Sequence, residues 1–146
     1  VIVSPTKRFF LKGFYFKKKP IGLKKAKYMS AISSGMIISF DYLKTIFNRF
    51  DERLSIYGVD TSFMKKYSEI SNDLVVLDYE LDHDLTLSTL NESSETLIKV
   101  YHQMLNSWLI IYSKSILLII VKIYCMLHSI YTSLKFLDKR YLYWIK

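Results

Sequence analysis

The sequence predicts an all-α fold: a long helical hairpin, in which two shorter helices fold back on one long C-terminal helix, with an extended basic N-terminal arm. Three observations predict it. Apolar residues recur in alternating steps of three and four through most of residues 39–137. Pro5, Gly13, Pro20 and Gly22 interrupt any helix in the arm. Hydrophobic residues make up 51% of the chain, which is too many for a disordered protein.

The arm covers residues 1–38 and interleaves cations with aromatic residues. Such a mixture can pair cations with phosphates and place rings on bases or in a headgroup layer. We therefore expect phosphate or partner contacts from nine basic residues: Lys7, Arg8, Lys12, Lys17, Lys18, Lys19, Lys24, Lys25 and Lys27. The alternative is a solvated arm draped over a neighbouring protein.

The first two helices are predicted over residues 39–57 and 61–87. In the first, Ser39 is a suitable N-cap, Gly58 a suitable stop, and the apolar residues lie on one face. In the second, the same spacing continues for more than twenty residues. A short alternation of Leu77, Tyr79 and Leu81 with acidic residues would also suit a strand, but the helical spacing is the longer pattern.

The third helix begins after the turn signal at residues 91–95 and is predicted to run to Leu137. At 1.5 Å per residue it would be on the order of 65 Å long, about as long as the first two helices end to end. This match predicts the hairpin. Five residues are expected at the interface between the two arms of this hairpin: Phe47, Phe50, Leu74, Leu77 and Ile119.

Residues 108–137 are too apolar for one partner helix to cover, so the surplus surface needs lipid or another subunit. About 20 apolar residues span a bilayer, and residues 115–134 supply that length despite Lys122 and His128. A central Lys costs about 2.5–3.5 kcal/mol on insertion scales, which the many Ile and Leu residues can offset. Interface anchors are expected at Lys139, Arg140, Tyr141, Tyr143 and Trp144.

Chemical motifs are scarce, and the sequence predicts no catalytic residue, no cofactor and no metal site. His83 lies among acidic residues, but a solvated acidic face explains them better than a cation site does. Cys125 and His128 are one helical turn apart without a second pair of ligands, which favours core packing. We therefore expect a protein that is not an enzyme.

Charge is distributed in blocks. Residues 1–50 carry eleven basic residues and one acidic residue. Residues 51–98 carry three basic and eleven acidic residues, and residues 99–146 carry seven basic residues and one acidic residue. The acidic middle confines any nucleic-acid contact to the ends of the chain. Abundant Ile, Lys, Tyr, Phe and Ser indicate A/T-rich codons, as in the genome of an organelle, a parasite or an endosymbiont.

The sequence as a whole predicts a structural or accessory subunit of a multi-subunit complex in the mitochondrial inner membrane, in contact with other subunits and lipid. One alternative is an organellar ribosomal protein of the matrix whose arm binds rRNA. A second is a small soluble helical interaction module.

Overall fold

The computed structural model describes residues 6–9, 12–14, 16–18, 20–46, 49–79 and 93–143. Within these residues helices and five short strands occur together, so the fold is mixed α/β. The all-α prediction is wrong. The chain divides into two compact units, Val1–Glu52 with Val59–Asp84, and Arg53–Gly58 with Leu85–Lys146. The predicted boundary at residue 38 stays a prediction.

The first unit contains two antiparallel sheets. Strands β1 (Thr6–Phe9), β2 (Lys12–Phe14) and β4 (Met29–Ser30) form one sheet in the order β2-β1-β4. Strands β3 (Gly22–Lys25) and β5 (Asp73–Val76) form the other, with Leu23 opposite Val75. Four of the five strands therefore lie in the segment that the sequence predicts as an arm.

The predicted second helix ends early. Helix α1 spans Val59–Ile70, and strand β5 follows three residues later. Ser71 and Asn72 separate them, and such short polar side chains compete with helical hydrogen bonds. The carbonyl of Asn72 instead accepts a hydrogen bond from the amide of Ala26 (2.8 Å), which joins the turn to the residue that follows β3.

The prediction of a first helix over residues 39–57 is also wrong. A single π-helical turn, Tyr42–Ile46, occupies part of residues 39–57. Tyr42 is buried against Phe63 and Tyr67 of α1, with ring centroids 6.2 and 5.3 Å away. Met64 and Val76 complete this core. The aromatic residues of the pattern therefore pack on a helix beside two sheets rather than along a hairpin.

The second unit holds two antiparallel helices where the sequence predicts one. Helix α2 spans Ser94–Ile111 and helix α3 spans Leu118–Phe136. Ser93 caps α2 by accepting a hydrogen bond from the amide of Thr96 (3.2 Å), which confirms the predicted helix start. Between the helices, the hydroxyl of Ser113 donates to the carbonyl of Ile110, and that of Ser115 accepts from the amide of Leu117. These local hydrogen bonds compete with helix continuation.

The predicted interface between the two arms of the hairpin is not formed. Phe50, Leu77 and Ile119 are at least half exposed, and Phe47 lies outside the described residues. Leu74 is partly buried, but in the core of the first unit. The long third helix could not be recognised as two helices because its apolar spacing continues through the turn at residues 112–117.

Gly58 closes a segment, Arg53–Gly58, that packs on α2 in the second unit. Its φ of +85° is in the left-handed region, which favours glycine. A Cβ at this position would lie 2.6 Å from the Cβ of Ser107, a distance that requires the chain to move. Gly58 thus has both a conformational and a packing reason to be glycine.

We expect Gly58→Ala to lower the free energy of unfolding by more than Gly22→Ala does. Gly22 has nearly the same φ (+86°) but open space around the added methyl group, so its replacement costs only the backbone strain of about 1–2 kcal/mol. Thermal unfolding followed by circular dichroism measures both. Equal losses would show that the contact with Ser107 has no effect.

Candidate functional site

The α2–α3 contact is the most distinctive feature of the second unit, and we call its buried residues the seam. Helix α3 contributes Val121, Cys125, Ser129 and Thr132, and α2 contributes Ile98, Tyr101 and Leu105. Leu105, Val121 and Cys125 are completely buried. The α3 residues are all small or β-branched and follow steps of four and three, which places them on one face. Small side chains let two helices approach closely.

The buried serine and threonine hydroxyls at and beside the seam are satisfied within their own helix. Ser129 donates to the carbonyl of Met126 and Thr132 to that of His128, each at 2.8 Å. Ser107, buried under Gly58, donates to the carbonyl of Met104 at 2.7 Å. Because each hydroxyl hydrogen bonds to the helix that carries it, none of the three needs water.

One polar group crosses the seam. The Tyr101 hydroxyl lies 2.8 Å from Nδ1 of His128 and donates to the Thr132 hydroxyl at 3.3 Å. The Tyr101 ring stacks on the His128 imidazole, with centroids 5.7 Å apart. Trp108 covers the other side of this cluster through contacts with Tyr124 and His128. The cluster fixes the register of the two helices, since a shift by one turn would separate all three polar groups.

The opposite side of α3 is aliphatic and exposed. We call it the outer face, and it comprises Ile119, Ile120, Ile123, Met126, Leu127, Ile130, Tyr131 and Leu134. Ile119 is 69% exposed and Leu127 57% exposed, although both are large and apolar. Most of the residues that the sequence pattern suggests as core are therefore turned outward. The side chains of α3 are small and partly polar where they contact α2, and they are mostly large and aliphatic on the outer face.

Helix α2 has a different exterior. Its polar stripe consists of Glu95, Lys99, His102, Gln103 and Asn106, which follow helical steps along one side. Tyr143 lies against the stripe, where its ring contacts His102 and its hydroxyl donates to Oδ1 of Asn106 at 3.3 Å. These residues and Ile98 line an open groove of about 500 Å³.

Helix α3 is long and apolar enough to cross a membrane, by length and composition alone, and most of it is not buried by this chain. Its 19 residues correspond to about 28 Å, close to the roughly 30 Å of a bilayer's hydrocarbon core. Lys122 is exposed and is the fifth residue of the helix rather than a central one. Its long side chain can therefore reach toward the nearer end.

The C-terminal end of α3 is where the expected interface anchors lie. Leu137, with a left-handed φ of 52°, ends the helix. Lys139, Arg140 and Tyr141 follow in a 3-10 turn. Lys139 and Arg140 are exposed, whereas Tyr141 is buried against Tyr101. Trp144 lies outside the described residues.

Charge at this end is partly paired. Arg140 forms a salt bridge of 2.7 Å with Asp138, and its hydrogen bonds hold the pKa of that carboxyl below the usual value. Burial raises the pKa of Tyr143. Lys135 and Lys139 add two further cations.

The basic residues predicted for phosphate or partner contact are divided among several elements. Lys7 and Arg8 lie in β1, Lys12 in β2, and Lys24 and Lys25 in β3. Lys25 forms a salt bridge of 2.8 Å with Asp73. Lys17, Lys18 and Lys27 are exposed, and Lys19 lies outside the described residues. Their role in binding stays a prediction.

Within the described residues no cluster of three metal-ligating side chains occurs. His83, the centre of the candidate acidic site, is outside them. Cys125 and His128 both lie at the α2–α3 contact, but His128 is engaged with Tyr101.

The roles of Tyr101, Thr132 and the polar stripe were not predicted from the sequence. The signal for the seam was the recurrence of small residues at Val121, Cys125 and Ser129.

Comparison with protein families, curated proteins and solved structures gives no match to this chain.

We expect Ser129→Leu to destabilise the helix pair by about 1–3 kcal/mol, because Ser129 is 2% exposed and a larger side chain would push the helices apart. Ile130→Leu, one residue away on the outer face, is the matched control and should change stability little. Thermal unfolding of the full chain in detergent measures both. Equal stability of the two variants would contradict the seam.

Proposed function

We propose that the protein is a membrane-anchored, non-enzymatic subunit of a larger assembly, held in the bilayer by α3. The observation that carries this proposal is the reversed polarity of α3: small and hydroxyl-bearing residues lie at the helix contact, and large aliphatic residues lie outside. In water, burial of aliphatic side chains stabilises helix packing, and polar residues belong outside. In lipid, close packing and interhelical hydrogen bonds take over that role.

The hydrogen bonds of the seam support the same environment. Ser129 and Thr132 bond to backbone carbonyls of their own helix, and His128 faces Tyr101 rather than the outer face. Polar and ionisable residues in membrane helices generally face the interior of the bundle, where they find partners. The exposed side of α3 requires no such partner because its residues are mostly aliphatic.

The two lysines of α3, Lys122 and Lys135, are compatible with insertion. A charged residue at the centre of a span costs about 2.5–3.5 kcal/mol, and the cost falls toward the ends. Lys122 is within about 6 Å of the helix start along the axis. Lys135 is one residue from the other end. Between them lies a stretch of twelve residues without Asp, Glu, Lys or Arg.

Leu127→Arg tests the proposal, because Leu127 is the middle residue of α3 and lies on its outer face. The substitution should make insertion less favourable by about 3–4 kcal/mol and release the chain from membranes at alkaline carbonate pH. Ser113→Arg adds the same charge in the exposed turn and should leave the chain in the membrane pellet. Release of the unaltered chain would overturn the proposal.

Nuclease treatment of the native assembly separates this proposal from the ribosomal alternative. If Lys17, Lys18 and Lys27 bind RNA, complete digestion of nucleic acid should release the chain. We expect the chain to stay bound after digestion and to be released by mild delipidation. The opposite pattern would favour the ribosomal protein.

A further inference from the structure

We propose that the polar stripe of α2 binds a membrane helix of a different subunit, one that offers a hydroxyl or amide group to His102. This inference rests on the proposed function and specifies which surface faces protein rather than lipid. The polar stripe is Glu95, Lys99, His102, Gln103 and Asn106, as defined above. It lies on the side of α2 that neither α3 nor the segment Arg53–Gly58 covers.

The contacts across the seam show which part of α3 lies level with each residue of the polar stripe. The Sγ of Cys125 lies 3.9 Å from the carbonyl oxygen of Leu105, so Asn106 is level with the middle of α3. Tyr101 contacts His128 and Thr132, which places His102 and Gln103 closer to the C-terminal end of α3. If the outer face of α3 is in lipid, these three side chains are at hydrocarbon depth. Unpaired polar groups there cost several kcal/mol, so lipid does not suit this side.

His102 supplies an independent sign of a missing partner. Its Nε2 atom is inaccessible to solvent and makes no hydrogen bond within the part of the chain that the structure describes. The Tyr143 ring packs edge-on against the imidazole, 5.5 Å away, but the Tyr143 hydroxyl is directed to Asn106. A buried nitrogen without a partner is costly, and a hydroxyl or amide that displaces the Tyr143 ring in the groove would satisfy it.

The chemistry of the stripe specifies the partner further. Glu95 and Lys99 carry opposite charges one turn apart at the charged end, where the Glu95 carboxylate also contributes to raising the pKa of Arg140, after the larger effects of Asp138. The inner part, with His102, Gln103 and Asn106, carries amides and an imidazole, which both donate and accept hydrogen bonds. A helix that is apolar overall and carries hydroxyl or amide side chains near the midplane matches this pattern, as interhelical contacts in membranes commonly do.

Site-specific photo-crosslinking in native membranes tests the inference. Lys99 and Asn106, both exposed on the stripe, are replaced in turn by p-benzoylphenylalanine, and Ile123 on the outer face is the matched control. We expect Lys99 and Asn106 to give adducts with the same second polypeptide, mapped by peptide sequencing to one apolar helix. Ile123 should give lipid adducts.

His102→Ala then tests the hydrogen bond. It should lower the crosslinking yield at position 106 roughly two- to tenfold, the factor expected for one lost hydrogen bond, while the chain stays resistant to carbonate extraction. Lipid adducts at positions 99 and 106, adducts with this chain alone, or an unchanged yield in His102→Ala would each overturn the inference. Because carbonate resistance is measured on the same membranes, failure of the inference is distinguishable from failure of the membrane anchor.

Discussion

The close approach of α2 and α3 is the constraint on which the second unit depends. It is possible because Val121, Cys125 and Ser129 are small: Val121 and Cys125 are fully buried with Leu105, and the Sγ of Cys125 lies 3.9 Å from the carbonyl oxygen of Leu105. Once the helices are this close, the Tyr101 hydroxyl can reach both His128 and Thr132. Close packing and the polar cluster therefore support each other: the small residues set the distance, and the hydrogen bonds set the register.

This arrangement fixes the character of every other surface of the pair. Because the small residues of α3 lie at the seam, its large aliphatic residues face outward, where they are partly or largely exposed. Because α2 uses Ile98, Tyr101 and Leu105 at the same contact, its polar residues are left on a separate side. Two exterior surfaces with opposite chemistry result, one suited to lipid and one to a polar protein contact. A subunit at the boundary between an assembly and the surrounding bilayer needs both.

The sequence predicted the apolar character and the start of this region, but not its organisation. Spacing of three and four shows that residues lie on one helical face, yet it does not say whether that face is turned inward. For α3 the aliphatic spacing marked the exposed side, since Ile119 and Leu134 are both 69% exposed. Recurrent small residues were the better indicator of the contact. The turn at residues 112–117 was missed because it contains neither Gly nor Pro and depends on two serine hydroxyls.

The first unit shows a different reason for failure. Asp73–Val76 continues a helical pattern by spacing, but the segment pairs with Gly22–Lys25, nearly fifty residues earlier. No local pattern contains that information, because strand pairing depends on tertiary contacts. The alternation of Leu77, Tyr79 and Leu81 did not mark the strand either, because the strand ends at Val76, Leu77 and Tyr79 follow it, and Leu81 lies outside the described residues. The helical spacing covered more residues than the alternation did, but residues 73–76 form a strand because they pair with β3.

The distribution of cations gives the proposed anchor a direction. Lys135, Lys139 and Arg140 lie at the C-terminal end of α3, where Asp138 and, from the start of α2, Glu95 oppose them. The other end of the helix carries Lys114 in the turn and Lys122 in the second helical turn. Cations close to a span are retained on the side from which the protein is inserted. The cluster is denser at the C-terminal end, so in the proposed anchor this end of α3 faces the side of insertion. In that orientation the turn at residues 112–117, which is short and carries a single cation, lies on the opposite side.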